Sequence, residues 1–194
     1  MEGKLITLYG INNIGKTTHS KLLAERLRSN GHKAYYVKYP VYDIKPTGAF
    51  LNNILRNSDG QKISEDELQM WFVLNRYQWQ ERLRELLSEG YIVVAEDYIG
   101  TGIAWGMAKG LKKEWLESMN AHLIKEDFAL MLEGERSLNA REDHHVHEQN
   151  DDLVAKCLKT HDALASEYGW KRVSLQKEKK DTANLIWKEV EAFL

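Results

Sequence analysis

The chain has 194 residues, 43% hydrophobic and 29% charged, which suits one domain with a buried core and excludes a wholly disordered chain. Its 27 basic and 29 acidic residues leave a formal charge of −2, so the basic excess of a dedicated nucleic-acid binder is missing and no nucleic-acid partner is expected. The single Cys157 excludes an internal disulfide framework and a cysteine-rich zinc site, no apolar run approaches the roughly 18 residues of a membrane span, and the start Met-Glu-Gly-Lys carries no cleavable signal, so a protein of a reducing cytoplasm is expected.

Lys4–Tyr9 reads as a buried strand, and residues 15–30 as a helix with Leu22, Leu23 and Leu27 at helical spacing, stopped by Asn30-Gly31. Ala34–Lys38 is a second strand. A loop with both prolines follows, then a short helix near 48–56. Ser64 and Glu67 have capping-box spacing and open a long helix to about residue 88, which Gly90 ends. Tyr91–Ala95 is a third strand, 102–109 and 112–123 are helical, and Phe128–Leu132 is a fourth strand. The polar stretch 134–147 reads as a mobile loop. A helix to about Tyr168, a fifth strand Trp170–Leu175 and a helix over 182–193 complete the chain. Short apolar strands alternating with helices predict one α/β domain over 1–194, with a parallel sheet covered on both faces.

The first strand runs into Gly10-Ile-Asn-Asn-Ile-Gly15-Lys16-Thr17, which matches the G-x-x-x-x-G-K-[ST] phosphate loop in its strand–loop–helix context. Glycines let the backbone curl so that successive N–H groups point at a phosphate, at a helix N-terminus of positive partial charge. Gly10, Asn12, Asn13, Ile14, Gly15, Lys16, Thr17 and Thr18 form the predicted ATP phosphate site; Lys16 reaches the β- and γ-phosphates, and Thr17 ligates Mg²⁺. The third strand ends in Glu96-Asp97, where open parallel sheets bind ligands. Glu96 is the favoured metal-side carboxylate, with Asp97 as the alternate. No Asn-Lys-x-Asp guanine motif is present, which lowers a GTP switch reading.

Gly10–Thr18, Tyr39-Pro40, Leu74-Asn75-Arg76, Glu96-Asp97-Tyr98 and the stretch Thr101–Gly110 together resemble the thymidylate kinase family over most of the chain. The resemblance implies a P-loop nucleoside monophosphate kinase fold of three layers, a five-stranded parallel sheet with helices on both faces and a lid near 134–147. It implies transfer of the ATP γ-phosphoryl to dTMP with Mg²⁺, in a dimer built through the 64–88 helix. By resemblance, Phe72 stacks on thymine and Arg76 binds a base carbonyl, Tyr39 lies near the acceptor nucleotide, and Tyr98, Thr101 and Trp105 line base and sugar. Asn12 stands where the family has an acid that reaches the acceptor sugar. Asn13 stands where some members carry an arginine; members without it use lid arginines, here Arg136 or Arg141, to neutralise the transferring phosphoryl.

Two cations that the family uses on the acceptor phosphate are missing. Asp97 replaces the arginine that grips the acceptor phosphate, and Val41-Tyr42-Asp43 replace a second arginine after the Phe-Pro element. Lys45 is the foremost expected substitute, with Lys38 beside it. An ionised monophosphate needs no general base, whereas a nucleoside hydroxyl does, and Asp97 or Glu96 would supply it. A deoxynucleoside kinase, another nucleoside monophosphate kinase and a non-catalytic nucleotide-binding regulator are the alternatives. His144, His145 and His147 do not form the H-E-x-x-H motif and read as solvated residues of the lid, and Cys157 as a small buried hydrophobe.

Overall fold

A run of β-branched and leucine residues fixes the centre of the fold, seen in a computed structural model that describes residues 2–56, 62–135 and 151–194. Among these the chain forms β1 (Lys4–Tyr9), α1 (Lys16–Ser29), β2 (Ala34–Lys38), α2 (Thr47–Arg56), α3 (Glu65–Ser88), β3 (Ile92–Glu96), α4 (Ile99–Ala108), α5 (Lys113–Met119), β4 (Phe128–Glu133), α6 (Asp151–Tyr168), β5 (Lys171–Ser174) and α7 (Lys179–Phe193). The strands make one sheet in the order β2-β3-β1-β4-β5, and every adjacent pair is parallel. Every residue of β3 is buried, as both faces of an interior parallel strand must be, while the edge strands keep few buried residues, Ala34 and Val37 in β2 and Val173 in β5. Helix α1 packs on β2, β3 and α7, and α4 packs on α6, α5 and α3. Leu5, Leu8, Val93, Val94, Leu130 and Leu132, all fully buried, form the middle of the core.

Local chemistry sets the helix ends. The Ser64 hydroxyl accepts the Glu67 N–H at 3.2 Å, and Glu65, Asp66 and Glu67 fill the positive first turn of α3. Three helix boundaries differ from the sequence expectation by three residues or more. Helix α4 starts at Ile99 and not 102, because tertiary packing overrides the low propensity of Gly100 and Gly102: Ile99, Gly100, Gly102 and Ile103 are all buried. Helix α5 stops at Met119, and the chain continues as a turn in which the Leu123 N–H donates to the Asn120 carbonyl. Helix α7 starts earlier, at Lys179. Cys157 is fully buried, with Sγ 3.3 Å from His161 Nδ1, and burial lowers the His161 pKa to about 4, so that ring stays neutral. No helix among the described residues is long and apolar enough to cross a membrane.

Candidate active site

Gly15 has φ +94°, a left-handed backbone that a side chain would strain, and this turn starts α1 directly after the loop. Lys16, 6% exposed, lies back across its own loop: Nζ donates to the carbonyls of Gly10 at 2.8 Å and Ile11 at 2.9 Å, and sits 3.6 Å from Asp97. A buried ammonium needs such partners. Ile14 turns its side chain into the hydrophobic core, so it offers a phosphate only its backbone. Asn12, Asn13, Gly15, Lys16, Thr17 and Thr18 line a cavity of about 670 Å³, a volume in the range of ordinary ligand sites.

Strand register delivers the carboxylates to that loop. Glu96 pairs across the sheet with Leu8 on one side and Lys38 on the other, at the carboxyl ends of β1 and β2. Thr17 Oγ1 donates to Glu96 Oε1 at 2.6 Å, Lys38 Nζ lies 3.0 Å from the same oxygen, and the Tyr36 hydroxyl donates to Oε2. Burial pushes the Glu96 carboxyl up, but Lys38 and the hydrogen bonds from Thr17 and Tyr36 outweigh it and hold it below its ordinary value. Asp97 has φ +59°, which breaks the strand alternation and lets two successive carboxylates face the cavity. It accepts from Thr101 Oγ1 at 2.7 Å. Burial raises its pKa, Lys16 opposes that, and Glu96 adds to it.

The far end of the cavity is built from α3, α4 and the end of β2. Gln69, Phe72 and Arg76 line it from one side of α3, and Tyr98, Thr101, Gly102 and Trp105 from α4. Arg76 is 5% exposed, and Nη1 donates to Asn120 Oδ1 at 3.1 Å. Gly102 makes room for it, since a Cβ there would stand 2.4 Å from Arg76 Nη2. Tyr39 closes the inner wall, its ring 4.9 Å from Tyr98 and edge-on to Trp79 at 5.9 Å.

The structure therefore gathers in one cavity the loop residues from Asn12 to Thr18 other than Ile14, together with Tyr39, Phe72, Arg76, Glu96, Asp97, Tyr98, Thr101 and Trp105. Lys45 does not join them. It is exposed and off the cavity lining, because its loop is tied to the flank of α3 by Gln78 Nε2, which donates to the Lys45 carbonyl at 2.9 Å. Among the described residues, the cations that line the cavity are Lys16, Lys38, Arg56, Arg76, Lys109 and Lys179. Arg56, Lys109, Lys179 and Gln69 escaped sequence reading; the only available signal was the placing of Gln69 seven residues before Arg76. Arg136, Arg141, His144, His145 and His147, and with them the lid from residue 136 onward, lie outside the described residues.

A thymidylate kinase sequence profile matches residues 8–186 of this chain. A probable thymidylate kinase of Pyrococcus horikoshii is 31% identical over 141 residues, 69% of this chain and 66% of that protein. The thymidylate kinase of Brachyspira hyodysenteriae is 31% identical over 144 residues, 72% of this chain and 68% of that one. These alignments thus span about two thirds of the relatives' length, whereas the human thymidylate kinase aligns at 26% identity over 90% of this chain and 84% of its own. The thymidylate kinase structure of Candida albicans superposes with a TM-score of 0.84 over 98% of this chain and 92% of that one, at 23% identity, a likeness of fold.

Proposed function

This chain belongs to the thymidylate kinase family, and on that premise we propose that it transfers the γ-phosphoryl of ATP to dTMP, giving ADP and dTDP. The observation that carries the reading is a single cavity with a phosphate loop at one end and a buried arginine beside an aromatic ring at the other. In this scheme Lys16 leaves the Gly10 and Ile11 carbonyls for the β- and γ-phosphates of the donor. The loop N–H groups hold the same phosphates. Arg76 and Phe72 hold the base of the acceptor, and Asn12 hydrogen-bonds its sugar. The acceptor phosphate is already ionised and attacks without a general base.

Mg²⁺ suits the donor end. The Thr17 hydroxyl and the ionised Glu96 carboxylate are hard oxygen donors 2.6 Å apart, the chemistry that a small divalent cation takes. When bound there, the ion neutralises charge on the donor phosphates. At the acceptor end, Lys38 and Arg56 take over from the two absent arginines. Arg56 closes α2, its guanidinium 5.6 Å from the Tyr42 ring. A homodimer through α3 accords with Met70 and Leu74, which are 49% and 45% exposed on that helix. A reducing cytoplasm suits the one buried thiol.

Coupled ADP release with ATP and Mg²⁺, against dTMP, dUMP, other monophosphates, thymidine and deoxycytidine, tests the assignment. Release with dTMP is expected. The Asp97 carboxylate in the cavity favours one second reading, a hydroxyl acceptor with Asp97 as base, since Glu96 is already engaged by three donors. Release with nucleosides alone would establish that reading. ATP binding with no productive acceptor would leave a nucleotide-binding regulator.

A further inference from the structure

Two buried polar atoms, the Tyr39 hydroxyl and Arg76 Nε, have no hydrogen-bond partner among the described residues. Both residues line the cavity, and they are 4% and 5% exposed. A phenylalanine ring would fill the Tyr39 position with the same contacts to Tyr98 and Trp79, so the hydroxyl adds only desolvation cost until a partner arrives.

The proton inventory says what that partner is. Arginine offers N–H groups and accepts nothing. Burial holds the Tyr39 phenol far above its ordinary pKa, so it keeps its proton and can donate as well. The two residues are near enough to interact electrostatically, and two donors on one oxygen call for an acceptor with two lone pairs. Phe72 stands one helical turn from Arg76 on α3, at i, i+4, and supplies a ring face there, so a flat heterocycle with a ring carbonyl fits better than a phosphate oxygen.

We propose that the Tyr39 hydroxyl joins Arg76 in binding one carbonyl oxygen of the acceptor's pyrimidine base, which makes Tyr39 a specificity-determining residue. The proposal rests on the acceptor reading above and adds a contact that the ring alone does not make. The hydroxyl then strengthens binding of oxo-pyrimidines and contributes nothing where that oxygen is replaced by a poor acceptor.

The test compares wild type with Tyr39→Phe, which removes one oxygen and keeps the ring. Affinities for dTMP, 2-thio-dTMP and 4-thio-dTMP are measured by calorimetry without ATP. Tyr39→Phe should weaken dTMP binding about tenfold, the scale of one neutral hydrogen bond. With one of the two sulfur analogues, wild type and variant should bind alike. The unliganded variant should melt at the same temperature as wild type or higher, because a buried unpaired hydroxyl has been removed. Unchanged dTMP affinity, an equal loss with both sulfur analogues, or a lower melting temperature without ligand would overturn the proposal. Binding of dTMP by wild type without turnover would defeat the kinase reading and leave this inference intact; no binding of dTMP by wild type would defeat both.

Discussion

Gly102→Ala puts the smallest side chain against the residue that defines the acceptor end of the cavity. The new Cβ would stand 2.4 Å from Arg76 Nη2 and 3.1 Å from Cζ and Nη1, whereas ordinary contact begins at 3.4 Å. The guanidinium must withdraw by about 1 Å on that geometry. Such a shift breaks the 3.1 Å bond to Asn120 and displaces the group proposed to hold the base. A hydrogen bond from a charged group contributes about 1.5–3 kcal/mol, so the KM for dTMP should rise about 10- to 150-fold. The fold should survive, because alanine is about 1 kcal/mol better than glycine inside a helix and the displaced group is the far end of a long side chain. ADP release is read with dTMP and ATP varied separately, and the KM for ATP should not move. Gly106→Ala is the control: its Cβ meets Leu116 Cδ1 at 2.7 Å and Cδ2 at 2.8 Å, so the nearest atoms are apolar, and it should lower the melting temperature with no selective change in KM. Gly102→Ala with a wild-type KM for dTMP would refute the placing of Arg76.

Lys16→Ala should cut turnover by about 10²–10³-fold, as loss of one donor to a transferring group does, while calorimetry shows dTMP bound as before; full activity would remove Lys16 from the chemistry. Arg56→Gln should raise the KM for dTMP about tenfold and leave thymidine binding unchanged, since the missing contact is to phosphate; equal loss for both ligands would place Arg56 elsewhere. Glu96, held below its ordinary value of 4.5, adds stability that is present above that pH and lost as pH falls through the lower folded value. Glu96→Gln should therefore flatten the acid limb of a denaturant-melt series. Asp97 has the opposite sign: its folded pKa is raised above 3.8, so its contribution is present below that pH and lost as pH rises through the folded value. Asp97→Asn should accordingly stabilise the chain at neutral pH, and a loss there would contradict the assigned shift. Leu74→Glu on the exposed face of α3 should give a monomer by sedimentation, whereas an unchanged dimer would exclude that face.

The parts of this molecule that a sequence displays are those written in short spans. The glycines and Lys16 of the phosphate loop are contiguous, and the five strands appear as apolar runs between turn residues. Glu96 was legible because it ends such a run. Its partners were not, since Tyr36 and Lys38 reach it only through the register of β2 on β3, some sixty residues apart in the chain. Arg56 and Lys109 look like surface charges by composition; each closes a helix whose end is turned toward the cavity. Gly102 stood in the sequence only as the start of a predicted helix, and the course of Arg76 explains why an absent side chain is useful there. Lys45 showed the converse: nearness in sequence to the loop after β2 did not bring it to the cavity.

The strand order has a consequence for how this enzyme family can change over time. The phosphate loop follows the middle strand β1; Tyr39 follows the edge strand β2, and Lys179 begins the helix that follows the opposite edge, β5. The groups proposed for the acceptor all fall within residues 38–105, apart from Asn12, whereas the donor end draws on the loop and on one residue inside that stretch, Glu96. Substitutions in that stretch, Glu96 and Asp97 apart, can therefore alter the acceptor end without touching the loop that holds the donor phosphates. Acceptor preference is thus spread over side chains from several helices and strand ends, while donor binding is concentrated in one short loop and the carboxylate that faces it.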